Sequence, residues 1–190
     1  MEGNEKLGIP RFQGLLAEFE AAEQDFEGAL ARIDEALALG REIGNHHYDA
    51  FLHRLRAEIL LKHEPGNPAL AEEAFLSAVA IAKEQHGRFY GLRAALSLAK
   101  LYQSTGRPAE AHAVLAPALE GFSPTPEMPE IAEAQALVAA LAETNEVKAD
   151  VAHQRRMTQL QTSYGQALQL GKGFAAEEGI RPRRRIREAT

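Results

Sequence analysis

The chain has 190 residues, with 45% apolar and 25% charged side chains and a formal net charge of -6. That is the balance of a globular protein, long enough for one compact domain or a short repeat array. It contains no Cys, which excludes a disulfide scaffold, a thiolate zinc site and a cysteine nucleophile. The opening MEGNEKLGIP lacks the apolar core of a secretory signal, and no run of about 18 apolar residues reads as a membrane span; a cytoplasmic location is the expectation. The charge is uneven. Residues 179–190 hold five arginines against Glu188, a sum of +4, leaving -10 on the preceding 178 residues.

Ala, Leu and Glu dominate, and these lose little rotamer freedom in a helix. Three stretches align on small residues at fixed offsets: 15–39, 55–82 and 96–122. Ala17, Ala57 and Ala99 mark the first helix of each unit; Ala29, Ala71 and Ala111 mark the second. The two alanines are twelve residues apart in the first and third units and fourteen in the second, where EPGNP (64–68) inserts two residues in the turn. Ile33, Phe75 and Leu115 follow four residues on, and Ala36, Ala78 and Ala118 seven residues on. Small residues let paired helices touch, and the larger one fills the space between neighbours. The reading is all-α, with units near 10–44, 48–86 and 91–121.

Punctuation fits that reading. Asp25 is placed to cap the helix from Phe26, and Gly44-Asn45 ends it. Pro68 and Pro108 stand near the start of the other second helices, while Pro117 interrupts a helical pattern and should kink or shorten it. SPTPEMP (123–129) is a break. A helix over 129–143 follows, with Ile131, Ala134, Leu137, Val138 and Leu141 on one face. Residues 146–178 read as a C-terminal helical extension of one or two helices, weakened by Gly165, Gly171 and Gly173, and 179–190 as a basic tail.

The order Leu98, Ala99, Tyr102, Gly106, Pro108, Ala111, Leu115 and Ala118 resembles the tetratricopeptide repeat. The first unit departs from it, with Glu20 at the usual aromatic position and Gln24 where Gly is common. The units are spaced by 40 and then 42 residues, against about 34 in the common repeat, so the second helices should be long. More narrowly, 51–61 with 71–122, and LQTSYGQALQLGKGFAAEE (160–178), resemble the C-terminal arrays of bacterial proteins that join a class III adenylate/guanylate cyclase domain to an AAA/STAND ATPase. No GxxxxGK[ST] phosphate loop is present, and the chain is too short to add a cyclase domain. The resemblance therefore implies an α-α superhelix serving as a non-catalytic interaction or regulatory module of bacterial signalling, without a cofactor.

Carrying the family's concave positions across gives Arg54, Glu58, Leu61 and Lys62 in the second unit and Arg93, Leu96, Lys100 and Gln103 in the third. Four cations in an acidic protein suit an acidic protein or peptide ligand. Against that stands pairing of these cations with Glu58 and nearby carboxylates. A short array with unpaired end units also suits a homodimer. RPRRRIRE offers phosphate or anionic-surface contact, but no aromatic is interleaved for base stacking, and nucleic acid is not the favoured partner. His46, His47 and His53 lie close together without a recognised ligand spacing, so no metal site is assigned. No acid/base pair or nucleophile elbow stands out, and no catalytic residue is assigned.

Overall fold

The computed structural model describes the backbone of residues 8–123 and 128–178, and side chains for 8–123, 128–144, 148–149, 151–163 and 166. Every regular element among them is helical. In chain order these are α1 (Ile9–Ala22), α2 (Phe26–Glu42), α3 (Asp49–His63), α4 (Ala69–Glu84), α5 (Arg88–Ser104), α6 (Pro108–Leu119) and α7 (Pro129–Glu178). The chain divides into two compact units, Met1–Asn145 and Glu146–Thr190. The basic tail and residues 124–127 of the SPTPEMP break lie outside the described residues.

In the first unit each helix packs on its chain neighbour from α1 to α6, and α3 also touches α1 and α5. Local sequence sets the boundaries. Asp25 Oδ1 accepts a hydrogen bond from the Gly28 backbone N–H at 3.0 Å, capping α2. Pro108 opens α6, where its missing N–H costs no helical bond. Pro117 shortens the same helix: α6 has 12 residues against 17 in α2 and 16 in α4. The turn between α5 and α6 needs a left-handed residue and has Gly106 there, at φ 77°. The equivalent turn between α1 and α2 uses Gln24 at φ 67°.

The small residues that define the repeat are the points of closest helix contact. Ala17, Ala57, Ala99, Ala29, Ala71 and Ala111 are all completely buried. Ile33, Phe75 and Leu115 fill the gaps beyond them and are as deeply buried. Gly14 belongs to the same scheme: a Cβ there would lie 2.7 Å from the Phe51 ring and 2.9 Å from Leu52, so only glycine lets α1 approach α3 this closely. One apolar cluster joins Ala17, Ile33, Leu52 and Leu55. A second joins Phe75, Leu92, Leu98 and Leu115 to Ile131, Ala134 and Leu141 of α7.

The structure corrects the expectation of a separate helix over 129–143. No break falls near residue 144, and α7 continues through Gly165, Gly171 and Gly173 to Glu178. The Thr144 hydroxyl donates to the Ala140 carbonyl at 2.9 Å, one turn back on the same helix. With no proline between Glu130 and Glu178, each glycine weakens the helix by about 1 kcal/mol but leaves its hydrogen bonding intact. In the second unit the exposed apolar side chains include Val151, Met157 and Leu160.

Candidate interaction groove

The eight residues expected on the inner face come from α3 and α5, and the structure separates them into four groups. Glu58, Leu61 and Lys100 line one groove of about 640 Å³, together with Ser97, Leu101 and Ser104. Pro65 and Pro68, from the lengthened EPGNP turn between α3 and α4, form part of its wall. Lys62 and Gln103 are exposed on the same two helices.

Arg54 and Leu96 do not face open solvent. They are 5% and 4% exposed. The two occupy the same repeat position, and so does the buried Gly14. The residue at that position is buried in all three units, and at Gly14 it faces α3. Arg54 Nη1 donates to Glu58 Oε1 at 2.5 Å, and its guanidinium lies 5.7 Å from the centre of the Phe51 ring. Its Nε and Nη2 are buried without a hydrogen-bond partner. An arrangement of this kind is costly by about 1–3 kcal/mol, and the carboxylate of Glu58 is what keeps the charge tolerable. Glu58 in turn accepts a hydrogen bond from Ser97 Oγ at 2.9 Å, which ties α3 to α5.

Arg93 and Lys100 meet carboxylates of α7. Arg93 Nε is 3.6 Å from Glu130, and Lys100 Nζ is 2.7 Å from Glu133. The expected concentration of free positive charge is therefore reduced, because α7 places an acid opposite each of these cations. Both pairs are partly exposed, where such contacts contribute little. Ser97 has no place in the sequence reading, and Ser104 reads there only as a short polar residue before the turn glycine. Their signal was their spacing: with Lys100 and Leu101 they recur at three- and four-residue intervals along α5.

A second polar cluster locks the third unit to the second. Arg107, at the start of α6, reaches Glu72 of α4 with Nη1 at 2.8 Å and Glu110 with Nε at 2.7 Å. The guanidinium stacks 4.1 Å from the Tyr102 ring, and the Tyr102 hydroxyl donates to Glu72 at 3.0 Å. Arg107 holds both carboxyls below the usual carboxylate range; burial opposes this at each. Burial and the bond to Glu72 push the Tyr102 hydroxyl upward. In the first unit the same position is Glu20, which pairs with Arg32 of α2 through a two-pronged contact.

The histidines take other roles. His46 Nδ1 lies 2.8 Å from Asp49 at the start of α3. Burial lowers the pKa of His53, with Asp49 acting in the opposite direction. Among the described residues no group of three His, Asp or Glu side chains is arranged to hold a metal ion. None of their helices is long and apolar enough to cross a membrane. No family model matches this chain, and no curated protein matches it either.

Proposed function

We propose that the chain is a non-catalytic protein-interaction module built from tetratricopeptide-like helix pairs, related to the repeat region of cyclase and AAA/STAND signalling proteins. The carrying observation is the groove between α3 and α5. Its walls combine the apolar side chains of Leu61 and Leu101, the hydroxyls of Ser97 and Ser104, and the ammonium of Lys100. The packing of α1 on α3 and of α3 on α5 supports a continuous inner surface made by the first helix of each pair, as in a tetratricopeptide superhelix. The ligand class is a peptide that presents apolar and acidic residues together. Its carboxylate would exchange with Glu133 for Lys100, in a pair open to solvent on both sides. Lys62 adds a second, exposed cation beside Leu61.

Selection of a displayed random-peptide library on the full chain tests this. Enrichment of sequences mixing acidic and apolar residues is expected. Their binding should weaken about tenfold or more in Leu61→Asp/Lys100→Glu. No enrichment, or equal binding by the variant, would overturn the reading.

A further inference from the structure

The strongest unassigned feature of the first unit is the outer face of α1. Phe12 and Phe19 are 66% and 72% exposed, and Leu16 is 50% exposed. Ile9 and Leu15 are also exposed. Single exposed apolar residues are ordinary, but a contiguous stripe led by two phenylalanines marks an interaction surface.

The repeat says what this stripe is built to do. Phe12, Leu15 and Phe19 are equivalent to Leu52, Leu55 and Ile59 of α3, and to Ala94, Ser97 and Leu101 of α5. In α3 those three side chains are buried, and Leu52 and Leu55 lie against the α1 backbone at Gly14. In α5, Ala94 and Leu101 are buried as well. So the same face that seats each later unit on its predecessor stands open in α1.

We infer that this face pairs with α1 of a second copy of the chain, the two helices running antiparallel. The pattern is self-complementary. Ile9, Phe12, Leu16 and Phe19 are spaced three, four and three apart, which reads identically from either end. Antiparallel pairing sets Ile9 against Phe19 of the second copy and Phe12 against its Leu16. Such a two-fold contact uses one surface patch twice. Charge agrees with that direction. Arg11 and Glu18 are seven apart, so they share the flank of the stripe, and both are exposed. Antiparallel pairing brings Arg11 of each copy beside Glu18 of the other, at both ends. Parallel pairing would instead put the two charged flanks on opposite sides of the contact, where no such exchange is made. With aromatic side chains burying roughly 150–250 Å² when fully covered, the two stripes together cover on the order of 1,000 Å², the lower edge of a specific interface. The dimer is therefore reversible and concentration-dependent.

Sedimentation of the full chain from low to high micromolar concentration tests the proposal. The wild type should pass from monomer to dimer. Phe12→Ser/Phe19→Ser should raise the dissociation constant roughly thirtyfold or more while leaving the thermal melt of the monomer unchanged, because both rings are exposed. Arg11→Glu should weaken the dimer, and adding Glu18→Arg to it should restore it. A wild type that stays monomeric, or a dimer untouched by the double phenylalanine variant, would overturn the proposal. Failure of the charge swap to rescue would overturn the antiparallel arrangement.

Discussion

The first helix pair and the third share one set of repeat offsets and are finished with different chemistry. In the third, the aromatic position holds Tyr102, which stacks on Arg107 and reaches Glu72 of the preceding pair. In the first, that position holds Glu20, which turns inward to Arg32 of its own pair. At this position the third pair reaches its neighbour, whereas the first closes on itself. The outer faces differ the same way: Leu101 of α5 is buried where its counterpart Phe19 is open. The difference teaches that the alanine framework sets how a pair closes, while the residues around it set how the pair meets its surroundings.

The largest effects should come from the gap-filling residues common to all units. Phe75→Ala should cost about 3–5 kcal/mol in chemical denaturation, since its ring is 1% exposed and sits between pairs. Leu115→Ala and Ile33→Ala should each cost about 2–5 kcal/mol, with Ile33→Ala nearer the lower value. The reason is that α1 has an open side and relaxes into the void more readily than the enclosed third pair. The reverse ranking would break the contrast between the first pair and the third.

Turn substitutions should give intermediate, opposite effects. Gly106→Ala should destabilise by about 1–2 kcal/mol, because φ 77° is unfavourable for a residue with a Cβ. Gln24→Gly should stabilise by up to about 1 kcal/mol, since it relieves the same strain at φ 67° but adds freedom to the unfolded chain. Thermal melts of both variants check the pair. Equal signs for the two changes would show that the turns are not equivalent.

The smallest effects should appear as two acid steps. Burial favours the neutral form of His53, so its folded pKa lies below the ordinary 6.5. The unfolded chain then takes up this proton first, and stability present above about pH 6.5 declines as pH falls below it. Glu72 and Glu110 have folded pKa values below the ordinary 4.5, so their contribution is full above that pH and is lost as pH falls further. Melting temperature against pH should show both steps. His53→Gln should remove the upper one alone, and a profile unchanged by that variant would assign the step elsewhere.

Much of the helical framework was legible because its signals are local. The recurring alanines, the Asp25 cap and Pro108 act within a turn or two of themselves, and periodicity identifies the buried Ile131, Ala134 and Leu141. The continuity of α7 was not legible, because the apolar face that marks 129–143 stops there while the helix runs on to Glu178. The groove was legible only in part. Glu58, Leu61 and Lys100 meet there, but Arg54 and Leu96 are buried. A helical position names a face, and only packing decides whether that face meets solvent or another helix.

The sequence by itself determined the all-helical class, the pairing of helices on small residues and the excess of acid over base in the body of the chain. Tertiary structure decided which charges are free. It gave Arg54 to Glu58, Arg93 to Glu130 and Lys100 to Glu133, and it left the stripe from Ile9 to Phe19 open. Backbone propensity and periodicity act over a few residues, whereas burial and ion pairing depend on what distant segments bring within a few ångströms.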